Sequence, residues 1–235
     1  TLTPKPMINV GPIPIIQRIM NHYSNYGIKN FIICGGYKIN VIKDYFLNFN
    51  NYHSDLSIDV KENEVRFHNS NNIDWKIEII NTGIETMTGG RIRRIKDFIG
   101  PKESFCLTYG DGISDINIAK LINFHFKCKK IATMTAVQPP ARYGSVQIKN
   151  NKVIKFQEKP KGDKIYINGG FFVLNYEIFK FIKGDSSIFE KDVLPILVKK
   201  NNLSAYEHKG FWHAMDSLRD KISLDELYSK NKLNF

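Results

Sequence analysis

Two carboxylates stand out for the company they keep. Asp111 lies in Tyr109-Gly110-Asp111-Gly112, just after the apolar run from Ser104 to Tyr109. That places it beyond the carboxyl end of an expected strand, where ligands of open α/β sheets bind. Asp and Gly are also ordinary turn formers, so a turn explains the motif alone nearly as well. Asp216 follows Gly210-Phe211-Trp212-His213-Ala214-Met215 and precedes an amphipathic pattern; its plainer reading is a helix N-cap. Taken as a pair, the two carboxylates suit Mg²⁺, which is usually held by one or two carboxylates plus substrate phosphates.

A second group is basic and set beside glycines or prolines: Lys5 in Pro4-Lys5-Pro6, Arg91 in Thr88-Gly89-Gly90-Arg91, and Lys159 in Glu158-Lys159-Pro160. Glycines let a phosphate or a base approach the backbone, and a helix start attracts anions through its free N–H groups. Each of these residues taken singly reads first as a solvated surface charge. Asn168-Gly169-Gly170 marks a place where a ligand comes close to a strand, or a bulge.

The elements that must carry these residues alternate. Ile15, Ile16, Ile19, Met20 and Tyr23 share one helical face behind Pro12 and Pro14, and Gly27 is placed to end that helix. Phe31-Ile32-Ile33-Cys34 reads as a buried strand, followed by a helix through Val41, Ile42, Tyr45 and Phe46. Strands are expected from Trp75 to Ile80, Ser104 to Tyr109, Ile131 to Val137 and Ile167 to Leu174. Helices are expected at 91–98, 116–126, 189–199 and 216–228, with hairpins at 56–68 and 143–157. Such alternation predicts an α/β fold, a parallel sheet covered by helices. A unit of that kind normally opens with a strand, whereas this chain opens with a loop and a helix.

At 235 residues the chain suits one large domain, read here as 1–235. Its apolar runs are far shorter than the roughly 20 residues of a membrane span, which predicts a soluble protein without a membrane partner. The start carries no signal-peptide pattern. Cys34, Cys106 and Cys128 form no metal-binding or C-x-x-C spacing, as expected in a reducing cytoplasm. The net charge of +11 comes from scattered lysines rather than a basic helix with interleaved aromatics. No nucleic acid partner is expected, and the charge suits small phosphorylated anions.

In order along the chain stand Pro4-Lys5-Pro6-Met7, Thr88-Gly89-Gly90-Arg91, Tyr109-Gly110-Asp111-Gly112, Phe156-Gln157-Glu158-Lys159-Pro160-Lys161-Gly162, Asn168-Gly169-Gly170-Phe171-Phe172-Val173 and the segment 210–220. Together they closely resemble the glucose-1-phosphate cytidylyltransferases, a family of sugar nucleotidyltransferases, over essentially the whole chain. The resemblance implies a three-layer α/β/α nucleotide-diphosphosugar transferase fold, Rossmann-like, with a mixed central sheet and small β-hairpin elaborations. It also implies a Mg²⁺-dependent reaction of CTP with glucose 1-phosphate, giving CDP-glucose and pyrophosphate for polysaccharide biosynthesis. By the family motif, Asp111 and Asp216 hold the metal, Lys5 meets the nucleotide phosphates and Lys159 the sugar phosphate. Thr88, Gly89, Gly90, Arg91 and Gly110 fall in the nucleotide pocket. Arg142, Tyr143, Gly144, Glu158, Asn168 and Gly169 fall in the sugar portion, where buried polar groups discriminate hydroxyls. A homo-oligomer, trimer or hexamer, is expected on the same ground.

The chain departs from the family at its start. Relatives open with a strand and a Gly-rich loop ending in Gly-Thr-Arg, whose N–H groups cradle the triphosphate. By that comparison the first strand and nucleotide-binding loop are expected to be missing here, with little activity as a consequence. Two rival readings are the same chemistry with dTTP or UTP, and a non-catalytic sugar-nucleotide-binding homologue.

Overall fold

A computed structural model describes residues 3–69, 73–139, 145–149, 151–157 and 165–233. Its centre is a mixed four-stranded sheet in the order Leu203–His208, Ala132–Val137, Ile167–Asn175, Ser104–Thr108. The first pair is parallel and the other two are antiparallel.

Ile167–Asn175 is apolar on both faces for a physical reason. Successive side chains of a strand point to opposite sides, and here both sides are covered. Phe171 and Val173 face a core with Tyr23, Ile116, Ile118 and Leu121. Phe172 and Leu174 face the other core, with Ile178, Phe189, Val193 and Leu197. The first core is supplied by the helices Ile15–Ser24 and Ile118–Cys128, the second by the segment from Tyr176 to Lys199. The result is the expected helix, sheet, helix sandwich. Asn117 starts the Ile118–Cys128 helix by accepting the Lys120 amide at 2.8 Å.

A second parallel pair stands apart from that sheet, Asn30–Gly35 beside Lys76–Asn81, with Phe31 opposite Ile77 and Ile33 opposite Ile79. Among the described residues this pair shares no ladder with the four-stranded sheet. The pieces are joined by packing instead: Phe31 and Cys106 lie against one cluster, and the Tyr23 hydroxyl bonds the Thr108 hydroxyl. The crossover between Asn30–Gly35 and Lys76–Asn81 carries the hairpin Asp55–Asp59 with Glu64–His68, an elaboration as the sequence predicts. Ser145–Lys149 pairs with Lys152–Gln157 in the second expected hairpin.

Boundaries shift where local chemistry overrides periodicity. The expected 91–98 helix begins earlier, as Thr88–Arg94, and ends in a 3₁₀ turn, Lys96–Phe98. The stretch 189–199 splits into a wide turn, Phe189–Val193, and the helix Leu194–Lys199. The last helix is Leu218–Ser229, which leaves Asp216 outside it. Burial pushes the Cys34 thiol up to about 11 and the Cys106 thiol up to about 12, as for small packed hydrophobes. Among the described residues no helix is long and apolar enough to cross a membrane.

Candidate active site

A short ribbon brings the two carboxylates together. Gly112–Ser114 pairs antiparallel with Trp212–Ala214, and Gly112 stands opposite Ala214. One step further out, the Met215 amide donates to the Asp111 carbonyl at 2.8 Å. This register puts Asp111 and Asp216 at the same end of the ribbon. It is locked by the residues beside them: Ile113 and Met215 are buried with Val10, Ile15 and Leu224.

Asp216 is not the N-cap that its position suggests. Ser217 is the cap, in a reciprocal box with Asp220. The amides of Ser217 and Asp216 donate to Asp220 Oδ2 at 2.9 and 3.2 Å. The neighbouring residues thus satisfy the helix start and leave the Asp216 carboxylate available for other work.

That carboxylate meets Lys5. The Lys5 ammonium lies 2.9 Å from Asp216 Oδ1 and 3.5 Å from Asp111 Oδ2. Lys5 reaches this point from a 3₁₀ turn, Lys5–Met7, started by Pro4. The turn sits against Gly110, where a Cβ would come within 2.9 Å of the Pro6 ring. The hydrogen bond to Asp216 raises the Lys5 pKa despite partial burial. Asp111 is also raised, first by burial; Lys5 opposes that shift and Asp216 adds to it. The three side chains are 48%, 30% and 54% exposed, so the cluster is open to a ligand.

The donor set fits Mg²⁺. Two carboxylates converge on one cationic group at an open mouth, and hard oxygen donors of that kind, completed by phosphate oxygens, are what Mg²⁺ prefers. Asp111 and Asp216 could hold such an ion.

The Thr88-Gly89-Gly90-Arg91 segment holds a different kind of surprise. The expectation that its helix-start amides stand free for an anion is not met. Met87 N bonds Asp185 O at 2.9 Å, while Gly89 N and Gly90 N bond Ser187 O at 2.9 and 3.2 Å. The glycines are there for close packing: a Cβ at Gly89 would lie 2.8 Å from Ser187 O, and one at Gly90 only 2.4 Å from Asp185 O. Arg91 clamps the carboxyl ends of the parallel strands. Its guanidinium donates to Thr82 Oγ1 at 2.7 Å and to the Gly35 and Ile84 carbonyls, each at 3.2 Å.

Asn168 and Gly169 lie at a register shift in the Ile167–Asn175 strand, so a bulge is present there. Asn168 accepts from its own Gly170 amide at 2.8 Å and donates to the Tyr109 hydroxyl at 3.1 Å. Gly169 offers its carbonyl to Trp212 Nε1 at 2.7 Å. Arg142, Tyr143, Gly144, Glu158 and Lys159 lie outside the described residues.

Glu190 belongs to the same constellation and carries no sequence signal. It accepts from Thr88 Oγ1 at 2.7 Å through one carboxylate oxygen and from the Tyr109 hydroxyl through the other. Glu190 stands in the turn Phe189–Val193, whose pattern only announces a helix.

Fold and site together define an α/β protein with two carboxylates that converge on one lysine in an exposed cluster. A family model described as nucleotidyl transferase matches residues 1–223. The chain is 45% identical over 229 residues to glucose-1-phosphate cytidylyltransferase of Salmonella typhimurium, covering 97% of this chain and 89% of the relative. In fold it is similar to HddC of Yersinia pseudotuberculosis complexed with GMP-PN, with a TM-score of 0.70 at 22% identity, covering 96% and 90% of the two chains. It is likewise similar to a UDP-glucose pyrophosphorylase complexed with UDP-glucose, with a TM-score of 0.65 at 19% identity over 97% and 91%. The chain belongs to the nucleotidyl transferase family and, within it, to the glucose-1-phosphate cytidylyltransferases.

Proposed function

We propose that the protein transfers a cytidylyl group from CTP to glucose 1-phosphate, giving CDP-glucose and pyrophosphate. The observation that carries this reading is the convergence of Asp111 and Asp216 on one cation position, in a chain 45% identical to a glucose-1-phosphate cytidylyltransferase.

In the reaction, an oxygen of the sugar phosphate forms a bond to the α-phosphorus of CTP. The bond from that phosphorus to the oxygen bridging it to the β-phosphate breaks, and its electron pair leaves with pyrophosphate. A phosphate oxygen is already ionised near neutral pH, so no general base is required. The task of the protein is to bring two polyanions together and hold them in line. Lys5 has the reach and the charge to neutralise nucleotide phosphate oxygens. Mg²⁺, held by Asp111 and Asp216, supplies further charge neutralisation when bound. Arg91 and the glycines beside it act by holding the strand ends and the 185–189 segment in place. Three free cysteines are consistent with a cytoplasmic enzyme.

The test is pyrophosphate release by the protein as its gene encodes it, with Mg²⁺, glucose 1-phosphate and, in turn, CTP, UTP and dTTP. CTP is expected to be strongly preferred. Asp111→Asn and Asp216→Asn are each expected to lose about 100-fold or more in turnover, the scale of removing one preorganised electrostatic contact. Preference for UTP or dTTP, or full turnover in both variants, would overturn the reading.

A further inference from the structure

We propose that Glu190, acting through Tyr109 and Thr88, is a positioning residue that holds the metal-binding and nucleotide sides of the site in register; this rests on the functional reading above. The argument begins with the two arms of its carboxylate. Oε1 accepts from the Tyr109 hydroxyl, and Oε2 accepts from Thr88 Oγ1 at 2.7 Å. Both arms end on residues whose backbones carry the site.

Tyr109 immediately precedes Gly110 and Asp111. Its amide is tied to the Gly170 carbonyl at 3.0 Å, and its ring passes Gly170, where a Cβ would stand 2.8 Å away. Its hydroxyl accepts from Asn168 at 3.1 Å while donating to Glu190. Anchoring the phenol therefore fixes the strand end from which Asp111 projects. On the other arm, Thr88 opens the helix that carries Gly89, Gly90 and Arg91. Its hydroxyl donates to Glu190 and accepts the Phe189 amide at 2.8 Å, which fastens the helix start to the turn holding Glu190.

Only a carboxylate side chain fits this role without loss. Both neighbours present O–H donors, and a carboxylate is the side chain that accepts from two donors and offers none. A glutamine can accept from one hydroxyl but turns an N–H₂ towards the other. The Tyr109 oxygen accepts from Asn168, so its one proton is directed to the carboxylate. Positioning of this kind acts on turnover: a displacement of about 1 Å in a reacting arrangement can cost on the order of 100-fold.

Glu190→Gln, Tyr109→Phe and the double variant test it, assayed for pyrophosphate release from CTP and glucose 1-phosphate. Turnover is counted per site that binds CTP in calorimetry, so that unfolded protein does not contribute. Each single variant is expected to lose about tenfold or more in kcat, with KM for both substrates within about threefold. The double variant should lose little beyond the worse single one, because both substitutions disturb the same Tyr109–Glu190–Thr88 chain of hydrogen bonds. Unchanged kcat per site, fully additive losses, or an effect confined to KM would overturn the inference. If the single variants bind no CTP, Thr88→Val tests the second arm alone, and wild-type turnover per site there overturns it. A wild-type protein that releases no pyrophosphate sinks the functional reading and this inference with it, whereas an active wild type with unaffected variants sinks the inference alone.

Discussion

The ammonium of Lys5 lies 2.9 Å from Oδ1 of Asp216, a contact that spans 211 residues of sequence. The same ammonium stands 3.5 Å from Asp111, so one positive charge separates two negative ones. Removing it leaves the carboxylates facing each other. Lys5→Met should lower turnover by about 100-fold, the scale of a lost transition-state contact. Without nucleotide, the same variant should bind Mn²⁺ more tightly than wild type, because the competing ammonium is gone. Paramagnetic resonance of free Mn²⁺ reads this directly, and equal or weaker binding would mean that Lys5 does not share the cation position.

Gly90 tests the close packing of the Thr88–Arg94 helix against the Asp185 backbone. A Cβ there would meet Asp185 O at 2.4 Å and Asp185 Cα at 2.6 Å, both of them backbone atoms that cannot swing aside. Gly90→Ala should cost about 1–3 kcal/mol of stability, the usual scale of overpacking. A Cβ at Gly184 meets nothing within 4 Å. Gly184→Ala should therefore stay within about 0.5 kcal/mol of wild type. Urea midpoints of the two variants make the comparison.

The cap beside Asp216 separates stability from function. Ser217→Ala removes the hydroxyl that accepts the Asp220 amide, at a cost of about 1 kcal/mol. Asp220→Ala releases the amides of both Asp216 and Ser217. It should lower kcat more than Ser217→Ala does, even where the two melt alike. Identical turnover in both would show that the backbone tie at Asp216 is of no consequence.

His22 gives the fold a pH dependence away from the site. It is buried, and its Nε2 faces the Ile116 carbonyl at 2.8 Å, so that nitrogen carries the proton of a neutral ring. Burial holds its pKa below the ordinary value, with His208 acting in the same direction and the Ile116 carbonyl and Asp115 opposing. The unfolded chain then binds more protons than the folded one. The stabilisation is fully present above about pH 6.5 and is lost as the pH falls through the lower folded-state value. His22→Leu should have a lower urea midpoint overall, since it orphans a carbonyl. Its midpoint should nonetheless fall less than that of wild type between about pH 7 and pH 5. Parallel slopes would place the acid sensitivity elsewhere.

Much of this molecule is legible in its residues. Period-two and period-3.6 apolar patterns name the strands and helices because each element must bury one face or both. Phe171 to Leu174, apolar without a break, announces a strand covered on both sides. Tyr109-Gly110-Asp111-Gly112 and the Gly210 to Asp220 segment single out the two carboxylates in the sequence. The pairing of Gly112 with Ala214 is what brings them to one ammonium, that of Lys5.

Other roles belong to the tertiary structure alone. Whether Asp216 caps a helix depended on Ser217 and Asp220 doing so first. Gly89 and Gly90 look like an anion cradle until the Ser187 carbonyl accepts their amides. Glu190 is an ordinary acidic residue in a helical pattern until Tyr109 and Thr88 arrive from opposite sides. Local sequence thus determined the elements, the turns and the residue types available for chemistry, because these follow from interactions a few residues apart. Which side chains meet, and so which amides and carboxylates remain available to a substrate, was decided by strand register and packing between segments about a hundred residues apart or more. No local pattern can encode a partner at that distance.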